Sequence, residues 1–252
     1  MTQRVLVTAG AGGIGLAIAK AFVAGGARVH IADVNAEAVA AITAENPGIT
    51  GSVGDIADAA DLDVLFRDVE ELLGGLDVLV NNAGIAGATA PVAAYPLEAW
   101  NAVVGLNLTG TFLVTQRAIA LLKASAAGSI LVMSSLAGRF GYPNRSAYST
   151  TKWGLVGFAK TLALELGEFG ITVNTIHPGA VDGPRLGSVF AGRAEANGTT
   201  VEEEAAKALD NQSVRQFIDP NDIAQLALFL AGPHARTISG QMFPIDGDSK
   251  HA

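Results

Sequence analysis

Short runs of apolar, β-branched residues alternate along the chain with longer segments whose apolar side chains recur at helical spacing, and few architectures accommodate that alternation. Strands that are apolar on both faces belong to a parallel sheet with helices packed on either side. The predicted strands run over Arg4 to Thr8, Ala27 to Ala32, Ile49 to Val53, Asp77 to Asn81, Gly128 to Ser134, Ile171 to His177 and Gln241 to Ile245. Predicted helices fill the intervals: Gly13 to Gly25, Ala36 to Glu45, Ala59 to Leu73, Leu97 to Ala124, Ala147 to Phe169 and Asp222 to Ala231. The implied fold is α/β, a doubly wound parallel sheet of about seven strands with helices on both faces. A chain of 252 residues, half of them hydrophobic, can bury such a core as one domain spanning 1–252, and no linker, repeat or composition shift divides it. The polar, acidic stretch Ala191 to Gln216 predicts a helical flap near 185–216.

Composition narrows the function classes. No apolar run reaches the roughly 20 residues a membrane helix needs, because Lys20, Arg28, Lys152, Lys160 and Glu165 interrupt the most apolar regions. The first residues enter a strand at once, without the charged and apolar regions of a leader, so the expected address is cytoplasmic. With no cysteine there is neither disulfide nor thiolate metal site, and redox chemistry has to come from a bound cofactor. The four histidines have no metal-ligand spacing, and no metal is expected; His177 reads as a packed residue at a strand end. A net charge of -8 without a basic run argues against nucleic acid and anionic membranes as partners, leaving a small molecule.

The first chemical signal is Val5-Leu-Val-Thr-Ala-Gly-Ala-Gly-Gly-Ile-Gly15, a strand entering a glycine-rich turn and then a helix. Gly10, Gly12 and Gly15 satisfy G-x-G-x-x-G, where missing side chains let the backbone approach a pyrophosphate at a helix N-terminus. Alone, the turn is equally a tight packing turn. Asp33, at the end of the second strand, strengthens the dinucleotide reading: a carboxylate there accepts hydrogen bonds from both adenosine ribose hydroxyls and repels a 2′-phosphate. Neither Gly12 nor Val34 is a cation, so NAD is favoured over NADP. The competing reading of Asp33 is an N-cap for the next helix.

The second signal is Tyr148-Ser-Thr-Thr-Lys152, which on a helix puts phenol and ammonium one turn apart on one face. A phenol titrates near ~10 and serves as a base at neutral pH only where a cation stabilises the phenolate. On its own this pair also arises by chance on solvated helix faces. Here it follows Ser134-Ser135 at the end of a predicted central strand, at the carboxyl edge where open α/β sheets bind substrates.

Together these motifs resemble the short-chain dehydrogenase/reductase family, in its single-domain Rossmann branch. The resemblance runs from Arg4 to Asp248 and rests on Thr8 to Gly15, Asp55, Asn81-Asn82-Ala83-Gly84, Asn107, Ser135, Tyr148 with Lys152, and Pro178-Gly179, in the family's order. It implies NAD-dependent hydride transfer between nicotinamide and a secondary alcohol or ketone. Tyr148 would be the general acid/base, and Ser135 would orient and polarise the substrate oxygen. Lys152 would bond the nicotinamide ribose and lower the tyrosine pKa, while Asn107 would hold a water linking Lys152 to solvent. The cofactor would contact Gly10, Gly12, Gly13, Ile14, Gly15 and Asp33, with adenine near Asp55 and Ile56. It would then pass Asn82, Ala83 and Gly84, and Pro178 to Val181 would embrace the nicotinamide. A homotetramer is implied as well; the apolar stretch after Trp153 is buried on more than one side, within the subunit or between subunits.

Two positions depart from the family pattern. Ala9 stands where the family has its first glycine, with Gly10 expected to compensate, and Gly183 stands where many members carry a threonine that bonds the nicotinamide. The expected substrate pocket comprises Ala86, Leu136, Arg139, Tyr142, Asn144, Arg185, Leu186 and the flap to Gln216. Arg185 would pair with a substrate carboxylate or phosphate, or form an internal salt bridge. The acidic run Glu202 to Glu204 reads as a solvated helix face. A non-catalytic NAD-binding regulatory or structural protein of the same fold is the alternative; an enoyl reductase would space its tyrosine and lysine more widely.

Overall fold

The computed structural model describes residues 2–251. Seven parallel strands form one sheet: β1 (Arg4–Thr8), β2 (Arg28–Asp33), β3 (Ile49–Val53), β4 (Val78–Asn81), β5 (Ser129–Met133), β6 (Thr172–Pro178) and β7 (Met242–Ile245). Their order is β3-β2-β1-β4-β5-β6-β7. The chain builds outward from β1 to β3 and then returns to place β4 on the other side of β1, so the crossovers diverge above β1 and β4. Such a divergence leaves a crevice at the carboxyl ends of the strands.

Residue alternation explains why helices cover both faces. Val5 and Val7 enter one apolar cluster, packed with α1 (Gly13–Ala24) and α9 (Pro220–Leu230), while Leu6 enters the other. That second cluster holds the apolar faces of α3 (Ala59–Leu73), α5 (Thr111–Lys123) and α6 (Ser146–Leu166). Side chains on a strand point alternately to the two faces, so strands apolar at every position feed both cores. The remaining helices are α2 (Ala36–Glu45), α4 (Leu97–Val104), α7 (Pro184–Asn197) and α8 (Val201–Asp210).

Local chemistry sets several boundaries. Asn35 caps α2 through Ala38 N, and Asp58 caps α3 through Ala60 N and Asp61 N. The expected single helix from Leu97 to Ala124 is interrupted: α4 passes into a π-helical segment, Gly105–Gly110, before α5 begins. Among the described residues no helix is long and apolar enough to cross a membrane, and no three His, Cys, Asp or Glu side chains group as metal ligands.

Candidate active site

The glycine-rich turn lies where β1 hands over to α1. Thr8 Oγ1 accepts from the amides of Asn82 and Ala83, both at 3.0 Å, which fixes the turn after β4 beside the turn after β1. Asn82 Nδ2 donates to the carbonyls of Thr8 and Ala9 at 3.0 and 3.1 Å. Gly15 is demanded by this closeness, because a Cβ there would lie 2.1 Å from the Ala9 carbonyl oxygen. Gly10 is demanded by packing, since its Cβ would lie 2.6 Å from Ile31.

Gly10 does not compensate for Ala9. The left-handed conformation stays at residue 9, with φ of 50°, and Gly10 has no positive φ. An L-residue held there carries a steric cost of about 1–2 kcal/mol. Ala9→Gly should remove that strain and, after the entropy glycine adds to the unfolded chain, stabilise the protein by about 0.5–1 kcal/mol. Denaturant unfolding tests this; a destabilised variant would mean that the methyl group's packing outweighs the strain. The second departure is also conformational: Gly183 has φ of 135°, a backbone state that a threonine does not adopt without strain.

Asp33, at the end of β2, is half-buried. Its Oδ2 accepts from Ala11 N and its Oδ1 from Asn35 N, each at 3.1 Å, so the carboxylate is tied to the glycine-rich turn. The helix that follows is capped by Asn35, which removes the N-cap reading of Asp33.

Across the crevice, α6 carries Tyr148 and Lys152, and β5 ends at Met133 with Ser134 and Ser135 following. Lys152 is 3% exposed; its Nζ donates to Met133 O at 2.7 Å and lies 5.6 Å from the centre of the Tyr148 ring. Burial pushes the Lys152 ammonium down to about 7, and the positive charge of Arg185 acts in the same direction. Ser134 Oγ donates to Lys152 O at 2.9 Å, locking α6 to the strand end. Ser135 Oγ accepts from Ala137 N at 3.2 Å, which leaves the hydroxyl proton for another acceptor. His177, fully buried, bonds Ser135 O at 3.0 Å and Thr175 Oγ1 at 2.8 Å, the packed strand-end role expected of it.

Asn107 is brought to this region by the π-helical segment, whose extra residue per turn rotates the side chain inward. Its Oδ1 accepts from Ile85 N at 2.8 Å, while Nδ2 donates to Ile85 O at 3.0 Å and Thr151 Oγ1 at 3.1 Å. That clamp holds Gly84 so close that a Cβ on it would lie 3.5 Å from Lys152 Nζ.

A cleft of about 780 Å³ connects these parts. Gly12, Gly13, Ile14, Asp33, Asn82, Gly84, Ser135, Tyr148, Lys152, Pro178 and Val181 all line it. Gly10, Gly15, Ala83 and Asn107 do not line it and support it from behind through the contacts above. Asp55 and Ile56 line a separate small hollow at the end of β3, reached from Asp33 through the bond of Gly54 N to Asp33 O. In the expected substrate pocket, Ala86, Leu136, Tyr142, Asn144, Arg185 and Leu186 line the cleft. Arg139 does not; it pairs with buried Asp246 at 2.6 Å.

The flap region contains two features that the sequence reading missed. Glu204 is 4% exposed and lines the cleft rather than facing solvent, with Oε1 accepting from Thr199, Lys207 and Asn197. Ser249 and His251 also line the cleft, because Ser249 bridges to Gln212 and Lys250 N donates to Asn211 O. The acidic composition of α8 hid the first, and only a long-range pairing reveals the second.

A doubly wound sheet with a glycine-rich turn, a terminal carboxylate on β2 and a Ser-Tyr-Lys group around one switch-point cleft defines a dinucleotide-binding α/β protein. A family model described as enoyl-(acyl carrier protein) reductase matches residues 9–247. The chain is 37% identical over 248 residues to D-beta-hydroxybutyrate dehydrogenase of Cupriavidus necator, covering 96% of this chain and 95% of that one. It is 35% identical over 244 residues to galactitol 2-dehydrogenase of Agrobacterium fabrum, with 96% and 95% covered. Among solved structures, actinorhodin polyketide ketoreductase with NADPH superposes at a TM-score of 0.93 and 31% identity, over 98% of this chain and 96% of that one. NAD⁺-bound xylitol dehydrogenase superposes at 0.93 and 29% identity, over 97% and 98%. The chain belongs to the short-chain dehydrogenase/reductase family, oxidoreductases that act on CH-OH groups with a nicotinamide cofactor, NAD or NADP.

Proposed function

We propose that this chain is an NAD-dependent oxidoreductase that interconverts a secondary alcohol and its ketone, with Tyr148 as general acid/base. The observation that carries the reading is the convergence of Ser135, Tyr148 and a buried Lys152 on the cleft that also holds the glycine-rich turn and Asp33. The residues present fit a dinucleotide. A Cβ on Gly12 or Gly13 would meet nothing within 4 Å, which leaves room for a pyrophosphate beside α1, and Asp33 offers a carboxylate at the adenosine end. Gly12, Gly13, Ile14, Asp33, Asn82, Gly84, Lys152, Pro178 and Val181 would hold it. When bound, the nicotinamide supplies the hydride acceptor or donor.

The chain's own residues manage the proton and the oxygen. Ser135 donates its free hydroxyl proton to the substrate oxygen, while Tyr148, as phenolate, takes the proton of the alcohol. Lys152 spends one of its three donors on Met133 O, leaving the others for a ribose and its charge for the phenolate. Asn107, held by Ile85 and Thr151, positions Gly84 beside Lys152 and would hold the water that links Lys152 to solvent. Substrate positioning and fixed positive charge account for much of the acceleration.

This reading treats 1–252 as one cofactor-binding and catalytic domain, cytoplasmic, with α7 and α8 as its flap. Exposed Phe112, Trp153 and Leu164 support assembly as a homotetramer. D-threitol dehydrogenase of Mycolicibacterium smegmatis, 36% identical over 255 residues, and the galactitol and hydroxybutyrate enzymes support a secondary alcohol as substrate. The three residues between Tyr148 and Lys152 favour this chemistry over enoyl reduction. A panel of secondary alcohols, polyols, hydroxy acids, ketones and enoyl thioesters, followed by absorbance of the reduced cofactor, tests it. Turnover of an alcohol with NAD⁺ is expected; turnover of enoyl thioesters alone would overturn the reading.

A further inference from the structure

Beside Tyr148, at the start of α6, three buried polar atoms have no hydrogen-bond partner: Arg145 Nε, Ser146 Oγ and Tyr95 Oη. Gly87 brings two of them together: Arg145 donates weakly to Gly87 O at 3.4 Å, and a Cβ on Gly87 would lie 2.6 Å from Tyr95 Oη. Arg145 is 5% exposed, lines the cleft and forms no ion pair with any described carboxylate. The other two cleft arginines, Arg185 and Arg193, also lack an ion pair, whereas Arg139 beyond the wall has Asp246.

A buried guanidinium without a counter-charge is costly, and its place aggravates the cost. Arg145 is the N-cap residue of the 21-residue helix α6, whose N-terminus no side chain caps. A helix N-terminus favours anions and disfavours cations. The arginine and the uncapped helix end are together complementary to a group with a full negative charge and several acceptor oxygens.

We propose, resting on the alcohol-dehydrogenase reading above, that Arg145 binds the carboxylate of the substrate and that the substrate is a short-chain hydroxy acid or its oxo acid. Arg145 and Tyr148 are three residues apart at the start of one helix, a rise of about 4.5 Å. Arg145, Tyr148 and Ser135 line the same cleft, so one small molecule can present a carboxylate to the first and its carbinol oxygen to the other two. Selectivity arises because an uncharged ester or amide leaves the guanidinium buried without a counter-charge.

Two experiments separate this proposal from the reading beneath it. In the first, calorimetry measures the binding of butyrate and butanamide, which cannot be oxidised at a hydroxyl, to the protein without turnover. Butyrate should bind at least about tenfold more tightly. Arg145→Gln should abolish the preference, and Arg145→Lys should retain part of it. In the second, kcat/KM with NAD⁺ is compared for 3-hydroxybutyrate and 3-hydroxybutanamide, where a preference of roughly ten- to hundredfold for the acid is expected, mainly in KM. A preference in binding without turnover of either alcohol sinks the dehydrogenase reading and keeps the anion site. Equal binding of butyrate and butanamide, or a preference that survives Arg145→Gln, overturns the anion site whatever the turnover.

Discussion

Tyr148→Phe is expected to fold normally, bind the cofactor as before and lose about 10³-fold in kcat, the range that removal of a positioned general acid or base produces. The separation of these effects follows from the local contacts. The phenol oxygen makes no hydrogen bond to any described residue, so no structural partner is orphaned by its removal. The half-buried ring remains to pack against Lys152, and Lys152 keeps its bond to Met133 O. What disappears is the phenol hydroxyl that shares the cleft with Ser135 and whose ring stands beside Lys152. Because the proton moves only during reaction, kcat and kcat/KM should fall together while KM changes little. Steady-state kinetics beside thermal unfolding checks both halves. Retention of more than about a tenth of kcat would remove Tyr148 from proton transfer.

The fold was legible wherever local chemistry and long-range packing agree. Strands Arg4–Thr8 and Ile49–Val53 and helices Ala36–Glu45 and Ala59–Leu73 fall where the apolar periodicity places them. Their ends are marked by residues with a mechanism: Asn35 and Asp58 as caps, Gly74 in the left-handed conformation. The π-helical segment was not legible. One extra residue within a long apolar helix barely disturbs the hydrophobic period, and its consequence is an inward Asn107 rather than a visible break.

Site residues divide in the same way. Gly12, Gly13, Asp33, Ser135, Tyr148 and Lys152 converge because each sits at the carboxyl end of a strand or the first turns of a helix, positions that the strand and helix assignments already fix. Ala9, Glu204 and the tail from Gly247 were misread or missed because their roles depend on tertiary geometry. Ala9 keeps a strained φ because Asn82 holds its carbonyl; Glu204 turns inward because Thr199 and Lys207 bond it there. Arg145 gave no signal in sequence, since an arginine before a helix ordinarily faces solvent; only its burial and orphaned Nε make it conspicuous.

The unmodified protein should prefer NAD over NADP by about a hundredfold in kcat/KM, and Asp33 should be the reason. Its carboxylate already accepts from Ala11 N and Asn35 N, which fixes both oxygens at the end of β2 and leaves lone pairs facing the cleft. Hydrogen bonds from two ribose hydroxyls to that charge contribute roughly 1.5–3 kcal/mol, equivalent to about ten- to hundredfold in affinity. A 2′-phosphate at the same place replaces one of these donors with negative charge, and the repulsion adds to the lost bond. Neither flanking position supplies a cation to offset it, since Val34 is 68% exposed and apolar and Gly12 has no side chain. Asp33→Ser combined with Val34→Arg keeps a small acceptor for Ala11 N, removes the repulsion and sets a guanidinium where the phosphate would lie. The ratio of kcat/KM for NAD to that for NADP should then narrow by about a hundredfold or invert, chiefly through KM for each cofactor. Kinetics with both cofactors at one substrate concentration gives the answer. Equal use of NADP by the unmodified protein, or an unchanged ratio in the double variant, would mean that Asp33 holds the glycine-rich turn and does not read the ribose.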